Sequence, residues 1–301
     1  MLLSEYKAKE THRVLAYGRS KTGKDSFIGQ LARTGKQLWW FDLEDGIKTL
    51  LNPAILPVEF HKNIHVFRIP DNQLVPMAIE TMLKVMKGAA VSICWKHGKV
   101  ACVPCTKDSA PSERICLNEF GLDDWLVINS VTQLSLSAMY AVIKVEMQKD
   151  NWEYKPTFHD YRAQGFMLDR IFSLMQSGNF NCAAVSHEIM IEQIQDTAGG
   201  GGKDAPGNNV ETIVPAAGTR NFSRQFGRYF DNIIYLDIVN KKHRAFSSTV
   251  HDGRIMTGTR TGIEIEKLAD GSQNILSLLT RKTDGQQSTG IQAGVVGSTV
   301  K

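Results

Sequence analysis

The segment that most constrains the fold of this 301-residue chain runs from Val14 to Ile28. Its apolar start leads into Gly18, four residues separate Gly18 from the Gly23-Lys24 pair, and an apolar-periodic stretch follows. This order predicts a strand, a tight loop and a helix, since glycines permit the turn. Such a loop directs backbone N–H groups and a lysine ammonium at phosphate groups. We therefore expect a phosphate-binding loop formed by Gly18, Arg19, Ser20, Lys21, Thr22, Gly23, Lys24, Asp25 and Ser26.

Further apolar runs alternate with helix-type spacing along the chain. Strands are predicted at residues 37–42, 65–69, 125–129 and 182–187, and helices at residues 77–87, 131–147 and 159–175. This alternation is typical of an α/β fold with a mostly parallel sheet flanked by helices. Because the carboxyl ends of parallel strands meet at one edge of the sheet, polar residues there should surround whatever the loop binds.

Polar residues do follow these strands. Glu44 belongs to an acidic group after residues 37–42, Asn129 ends the strand at 125–129, and His187 follows the strand that begins at Cys182. Sites that bind Mg²⁺ with a triphosphate usually carry a hydroxyl at the position of Asp25 and a carboxylate at that of Asn129. Two interpretations stay open: Asp25 binds Mg²⁺ directly while Asn129 orients a water, or the pocket handles Mg²⁺ poorly.

Residues 90–117 interrupt the alternation with a small insert. Four of the five cysteines lie in it: Cys94, Cys102, Cys105 and Cys116. Soft thiolates and one C-x2-C pair favour a tetrahedral Zn²⁺ site, for which these four are the simplest ligands and His97 is a possible substitute. The spacing is not that of a standard paired motif, so unligated thiols in an ordinary loop are the alternative. Cys182 lies in an apolar run and is expected in the core.

Two segments after His187 could contact a polyanion. A glycine-rich stretch at 195–209 includes Lys203, and residues 218–231 interleave aromatic side chains with three arginines: Arg220, Arg224 and Arg228. This mixture suits phosphate contacts and base stacking on single-stranded DNA. The net charge of +4 and pI of 8.7 permit such a partner without requiring one. The alternatives are a solvated loop and an ordinary amphipathic helix.

Taken in order, these motifs resemble those of RecA-like ATPases, and more closely those of phage-encoded AAA-family ATP-binding proteins related to single-strand annealing ATPases. The segments that carry the resemblance are GRSKTGKDS at 18–26, FDLEDG at 41–46, LVINSVTQLS at 126–135, AVSHE at 184–188 and GTRNFSRQFGRYFDNIIYLD at 218–237. The resemblance implies a RecA-like P-loop core over residues 1–89 and 118–282, with the insert at 90–117 similar to a zinc ribbon.

The resemblance also implies roles for single residues. Lys24 would bind the phosphates of ATP, Glu44 would be the general base, and His187 would sense the γ-phosphate. The loop beyond His187 would contact single-stranded DNA, and a homo-oligomeric ring or filament is implied. Asp25 and Asn129 depart from the family pattern, which bears on Mg²⁺ use and hydrolysis more than on nucleotide binding.

The expected function is therefore ATP binding, with weak hydrolysis, in annealing or recombination of single-stranded DNA. The alternative is a non-hydrolysing nucleotide-binding protein that acts as a structural or assembly partner in phage replication. The sequence has no apolar run near the roughly 18–20 residues of a membrane span, which favours a cytoplasmic protein without a membrane partner. The Gly-, Gln-, Ser- and Thr-rich tail at 283–301 is expected to be disordered.

Overall fold

The computed structural model describes residues 11–151, 153–194, 209–247, 254–260, 266–267 and 273–275. The main strands are β1 (Arg13–Gly18), β2 (Gln37–Asp42), β3 (Ile64–Arg68), β4 (Val91–Cys94), β5 (Ser112–Ile115), β6 (Asp124–Asn129), β7 (Asn181–Ser186), β8 (Glu188–Ile194), β9 (Asn209–Pro215), β10 (Asn232–Val239), β11 (Lys242–Phe246) and β12 (Gly258–Thr259). The α-helices are α1 (Lys24–Gly29), α2 (Met77–Val85), α3 (Val103–Lys107), α4 (Val131–Val142), α5 (Lys144–Gln148), α6 (Phe158–Ser177) and α7 (Arg220–Gln225). The tail at 283–301 lies outside the described residues.

Eight of these strands form the central sheet of the described residues. Seven follow the order β11-β10-β1-β7-β6-β2-β3, and β12 also pairs with β10. The neighbouring pairs from β10 to β3 are parallel, whereas β11 and β12 are antiparallel to β10. The predicted α/β fold with a mostly parallel sheet is therefore confirmed.

Side chains that alternate across the sheet form a separate core on each face. On β1, Leu15 belongs to one core and Val14 and Ala16 to the other, and none of the three is exposed to solvent. Helices α2, α4 and α6 cover the first core, while α1 and the short 3-10 segments at 30–34 and 46–51 cover the second. Burial on both faces explains why the inner strands have continuous apolar sequences.

The register of the parallel strands aligns their carboxyl ends. Tyr17 pairs with Ser186 across β1 and β7, and Asn129 pairs with Val185 across β6 and β7. Asp42 pairs in turn with Asn129 across β2 and β6. The loops that follow four adjacent strands therefore begin at the same edge of the sheet.

The insert at 90–117 is packed onto the main body of the protein. Strands β4 and β5 form an antiparallel pair, and α3 lies between them in sequence. Ile93, Val100 and Ile115 belong to the larger of the two cores. Apolar contacts with this core therefore hold the cysteine-bearing loops against the main body of the protein.

The prediction of a single helix over 131–147 is wrong, because the structure has two helices there, α4 and α5. Ile143, between α4 and α5, adopts φ −90° and ψ 8° and so leaves the helical conformation. The β-branched side chains of Val142, Ile143 and Val145 lose rotamer freedom in a helix, which favours a break at this point.

A tight hairpin joins β10 to β11. Asn240 and Lys241 form the connection and both have positive φ, of 52° and 60°, as a two-residue type I′ turn requires. The turn carries β11 back along β10 and brings His243 to the loop at 18–26, where its Nδ1 lies 3.0 Å from Thr22 O.

The longest described helix is α6, with 20 residues. Thr157 and Asp160 form a capping box at its start, in which each side chain binds the other residue's backbone N–H. Nowhere in the described ranges does a helix combine the length and apolar character needed to cross a bilayer.

Candidate functional site

The loop between β1 and α1 is a tight turn that depends on glycine. Gly18 has φ 151°, and a Cβ there would lie 2.1 Å from a carbonyl oxygen of β10. Lys21 and Gly23 also have positive φ, of 65° and 88°. Thr22 closes the turn by donating its Oγ1–H to Arg19 O at 2.9 Å. The loop can therefore approach β10 only with a glycine at its first position.

Lys24 is buried at the base of this loop. Its ammonium donates to Gly18 O at 3.1 Å and to Arg19 O at 2.6 Å. Burial lowers its pKa, and the more distant charges of Asp25 and Glu44 only partly oppose this effect. A buried cation without a paired anion is unfavourable, so an anionic ligand at this point would stabilise the fold.

The outer side of the loop is tied to the start of β8. Arg19 Nε donates to Glu188 Oε1 at 3.2 Å, and Tyr235 OH donates to Glu188 Oε2 at 2.9 Å. Ser20 is exposed, and Ser26 is half-buried at the start of α1. Glu188 was not assigned a role from the sequence, although it follows the predicted sensor histidine directly.

Asp25, the residue after Lys24, is an unusual carboxyl group. Burial raises its pKa from 3.8 to about 6. The positive charge of Lys24 opposes this shift, while the carboxylates of Asp42 and Glu44 add to it. Asp25 is therefore mostly ionised at neutral pH but takes up a proton in mild acid.

This pKa predicts how stability depends on pH. Folded protein binds a proton at Asp25 that the unfolded chain releases between about pH 4 and pH 6, so the free energy of unfolding falls as pH rises through that window. Asp25→Asn removes the titration and should stabilise the ligand-free protein by about 3 kcal/mol at pH 7.5, with little effect at pH 4. Urea unfolding at both pH values measures this. An equal effect at both pH values would contradict the assignment.

Asn129 lies beside Asp25 at the end of β6. A Cβ added to Gly46 would lie 2.7 Å from Asn129 Nδ2 and 2.9 Å from Asp25 Oδ2, so both side chains converge on that glycine. Asn129 Nδ2 is buried and makes no hydrogen bond of normal length and angle among the described residues, although its interaction with the Asp25 carboxylate lowers the pKa of that group against the effect of burial. A buried donor without an acceptor is costly, so an acceptor from a ligand or its bound water would stabilise this site.

Glu44, Ser130 and His187 form a hydrogen-bonded group at the same edge of the sheet. Ser130 Oγ donates to Glu44 Oε1, and His187 Nε2 lies 3.2 Å from Glu44 Oε2. Burial alone would raise the pKa of Glu44, but the hydrogen bonds from His187 and Ser130 outweigh burial and lower it. Glu44 is therefore ionised and held in position at both oxygens.

Ser130 is a site residue that the sequence analysis missed. Its Oγ also accepts a hydrogen bond from Gln133 N at 3.2 Å, which caps the start of α4. A serine after a strand and before an apolar-periodic segment is an N-cap signal, so its place was readable from the sequence. The contact of Ser130 with Glu44 could not be predicted from the sequence, because that contact depends on the pairing of β2 with β6.

His187 connects this group to the hairpin of β8 and β9. Its N–H donates to Thr132 Oγ1 at 3.0 Å, and its carbonyl accepts from Ala216 N–H at 2.7 Å. Ala216 directly follows β9, so the histidine is fixed at the base of the hairpin. The chain between the two strands, including Lys203, lies outside the described residues.

A cavity of about 440 Å³ opens beside Glu44. Asp42, Asp45, Arg68 and Gln133 also line it. Asp42 is held by backbone N–H groups, with Gly46 N at 2.9 Å from its Oδ1. Water can therefore reach the carboxylate of Glu44 from this side.

The three arginines predicted to bind DNA differ in their surroundings. Arg220 is exposed at the start of α7, and Arg224 donates to Glu192 O at 2.9 Å, which links α7 to β8. Arg228 binds Asp169 at 2.6 Å, and its guanidinium lies 4.8 Å from the ring centre of Tyr229. Both side chains of this ion pair are exposed, and the contact of Arg228 with DNA stays a prediction.

Four side chains of the insert converge as metal ligands could. Their ligand atoms all lie within 4.8 Å of one another, and they belong to Cys94, His97, Cys102 and Cys105. His97 Nδ1 is 3.2 Å from the Sγ of Cys105 and 3.4 Å from that of Cys102. Burial, followed by the neighbouring thiols, raises the pKa of Cys105 to about 12. This cluster could hold a metal ion such as zinc, whose charge would stabilise the three thiolates together.

Cys116 is not part of this cluster, which corrects the four-cysteine ligand set. Its Sγ donates to Gly88 O at 3.4 Å. Cys94 pairs with Ser112 across β4 and β5, and Cys116 lies four residues further along, about 13 Å away at the usual strand rise. His97 takes its place in the cluster that could hold a metal ion, while Cys182 is fully buried in the core as predicted.

No protein-family model matches this sequence, and no curated protein shows a significant match to it. Function must therefore be inferred from the chemistry of the site itself.

Proposed function

We propose that this protein binds a nucleoside triphosphate, with ATP the first candidate, at residues 18–26 and hydrolyses it slowly. The observation that carries the proposal is the buried ammonium of Lys24, whose hydrogen-bond partners in the described residues are carbonyls and not a carboxylate. A polyphosphate supplies the missing negative charge, and the glycine-containing loop supplies backbone N–H donors for it.

The neighbouring residues fit a triphosphate with its metal ion. Asn129 Nδ2 gains an acceptor, and the Asp25 carboxylate would hold Mg²⁺, which lowers the pKa of any carboxyl group that binds it. Mg²⁺, when bound, neutralises phosphate charge. Asp25 thereby takes the place of the usual hydroxyl. Its carboxylate also supplies, from the other side of the metal site, the negative charge that Asn129 lacks.

Glu44 is the residue of this site best suited to act on water. It is ionised, bound at both oxygens, and next to a water-accessible cavity. A carboxylate in this state can accept a proton from a water that attacks the terminal phosphate. His187 binds the same carboxylate and the base of the β8–β9 hairpin, so it can transmit a change at the phosphate to that hairpin.

We extend the proposal to a RecA-like protein that acts on single-stranded DNA, in annealing or recombination and as a homo-oligomer. Arg220 and Arg224 are exposed on α7, and Arg224 contacts β8 of the hairpin that starts at His187. A basic surface beside an element linked to the nucleotide suits a phosphate backbone. We also propose Zn²⁺ as the metal of the Cys-His cluster, where it would fix the insert.

Lys24→Met tests the nucleotide site directly. Loss of the charged donor should weaken binding of ATP about 10- to 100-fold, because hydrogen bonds to charged groups contribute about 1.5–3 kcal/mol. Isothermal titration with ATP and Mg²⁺ measures the change. Lys87→Met is the matched control, since Lys87 is an exposed lysine just after α2 and outside residues 18–26. Equal losses in both variants would indicate general electrostatic attraction and would contradict a specific phosphate site.

A non-hydrolysing nucleotide-binding partner protein is the second candidate function. The observation that favours it is the pair of substitutions at the metal site, since Asp25 removes a hydroxyl and Asn129 removes a carboxylate. Such a protein would bind ATP and lose binding in Lys24→Met, but it would show no turnover that depends on Glu44. The substitution of Glu44 therefore separates the two functions.

A further inference from the structure

A second cavity, of about 550 Å³, opens on the other side of the phosphate loop. Its wall includes Lys24 and Ser26 from the loop, Ala54 from the segment after β2, and Arg244 from β11. The volume falls within the range of about 300–1,000 Å³ that is typical of small-molecule sites. Residues 21–26 of the loop line it, so the cavity adjoins the proposed phosphate site.

Polar groups line this cavity at separate points. Gln30 Oε1 is buried and has no hydrogen-bond partner among the described residues. His243, whose Nδ1 contacts Thr22 O at 3.0 Å, becomes an acceptor at Nε2 when the neutral ring donates from Nδ1. Arg33 donates to Ile55 O at 3.0 Å and so fixes the far wall. Apolar side chains such as Phe27 and Ile55 share the wall with these polar groups, and such a mixture suits a heterocyclic ligand.

We propose that this cavity binds the nucleoside part of a purine nucleotide whose phosphates lie at residues 18–26, with Gln30 Oε1 accepting a hydrogen bond from an amino group of the base. The inference rests on the proposed function, because it assigns the rest of the same ligand. It makes the β10–β11 hairpin a wall of the nucleotide site, which explains why β11 is held against the loop by His243.

Filling the cavity tests this inference. Ala54 is exposed, so Ala54→Trp should fold and obstruct the cavity, and Ala90→Trp is the control at an exposed alanine that does not line it. In the parent protein we expect ATP or GTP to bind about 100-fold more tightly than inorganic tripolyphosphate, because the nucleoside adds many contacting atoms. Ala54→Trp should reduce that ratio to about one without changing tripolyphosphate binding, whereas Ala90→Trp should leave it unchanged.

The outcomes separate this inference from the proposed function. If tripolyphosphate and both nucleotides fail to bind, the phosphate site itself is wrong and the inference falls with it. If tripolyphosphate binds but nucleotides bind no more tightly, or if Ala54→Trp leaves the ratio intact, the cavity is not the nucleoside site while the phosphate site stands.

Gln30→Met tests base recognition without filling the cavity. The parent should bind either ATP or GTP about tenfold more tightly than purine riboside triphosphate, which lacks an exocyclic amino group. Gln30→Met should abolish that preference and leave purine riboside triphosphate unaffected. The nucleotide that loses affinity identifies the base. A preference unchanged by the substitution, or absent from the parent, would overturn the role of Gln30.

Discussion

Glu44→Gln should reduce nucleotide hydrolysis about 100-fold or more, while ATP binding stays within about twofold of the parent value. Glutamine keeps the shape of the side chain and can still accept from Ser130 Oγ, but it cannot take a proton from water. Since Glu44 is ionised in the folded protein, its loss removes a functioning base and not a neutral acid. Phosphate release under multiple-turnover conditions gives the rate, and titration with ATP gives the affinity.

Asp45→Asn is the matched control for this substitution. Asp45 lines the same cavity as Glu44, but its carboxylate binds Lys48 and Arg68, and the hydrogen bond from Lys48 lowers its pKa. Removal of that charge should change the rate of nucleotide hydrolysis less than about threefold, because the Asp45 carboxylate does not contact Ser130 or His187. A comparable loss in both variants would point to the net charge of the cavity as the cause.

Turnover that survives in Glu44→Gln would exclude Glu44 as the general base. If the parent itself shows no turnover but binds ATP, the non-hydrolysing partner protein becomes the better account of the site. The substitutions at Asp25 and Asn129 would then have abolished hydrolysis while Lys24 preserved binding. The rate and the affinity must therefore be measured on the same preparations.

Local signals explain what could be predicted from the sequence. The glycine loop at 18–26 follows a continuous apolar run, and β1, β2, β6 and β7 are buried on both faces, so each strand was visible without its partners. Strand ends such as Asn129 were then expected at a common edge by the rule for parallel sheets. The fold class and the common edge at which these strands end follow from these two facts.

Contacts that depend on register or on distant pairing could not be predicted. His243 reaches the loop at 18–26 only because a two-residue turn returns β11 along β10. Glu188 accepts hydrogen bonds from Tyr235 OH and Arg19 Nε. These contacts could not be predicted because the start of β8 lies near Tyr235 of β10 in space but far from it in sequence. The ion pair between Arg228 and Asp169 could not be predicted either, because Asp169 lies on another helix.

The ligand set of the insert shows the same dependence on register. Residue type alone favours Cys116 over His97, because four thiolates form a simple zinc site. The pairing of Cys94 with Ser112 places Cys116 at the opposite end of β5, away from Cys94. The loop at 97–105 instead brings His97, Cys102 and Cys105 next to Cys94. The four-cysteine set and the set with His97 therefore cannot be distinguished from the sequence unless the register of β4 and β5 is known.

Cys102→Ser should abolish stoichiometric zinc binding, with at least a 100-fold loss of affinity, because one of four ligands and a buried thiolate are removed together. Cys94, Cys102 and Cys105 are buried in a small cluster of their own, so the insert has few other contacts at that end. We therefore expect stability to fall as well, since metal binding energy becomes folding energy. Elemental analysis of purified protein and competition with a chromophoric chelator measure zinc content and affinity.

Cys116→Ser is the control that distinguishes the two ligand sets. Cys116 donates to Gly88 O and lies outside the cluster, so this variant should keep one zinc per chain at nearly the parent affinity. His97→Ala, in contrast, should lose zinc as Cys102→Ser does, because it removes the imidazole that lies among the three sulfurs. Cobalt substitution adds a spectroscopic test, since a site with three thiolates and one imidazole differs in its charge-transfer bands from one with four thiolates. Zinc lost from Cys116→Ser but kept by His97→Ala would restore the four-cysteine set and show that the β4–β5 register is wrong.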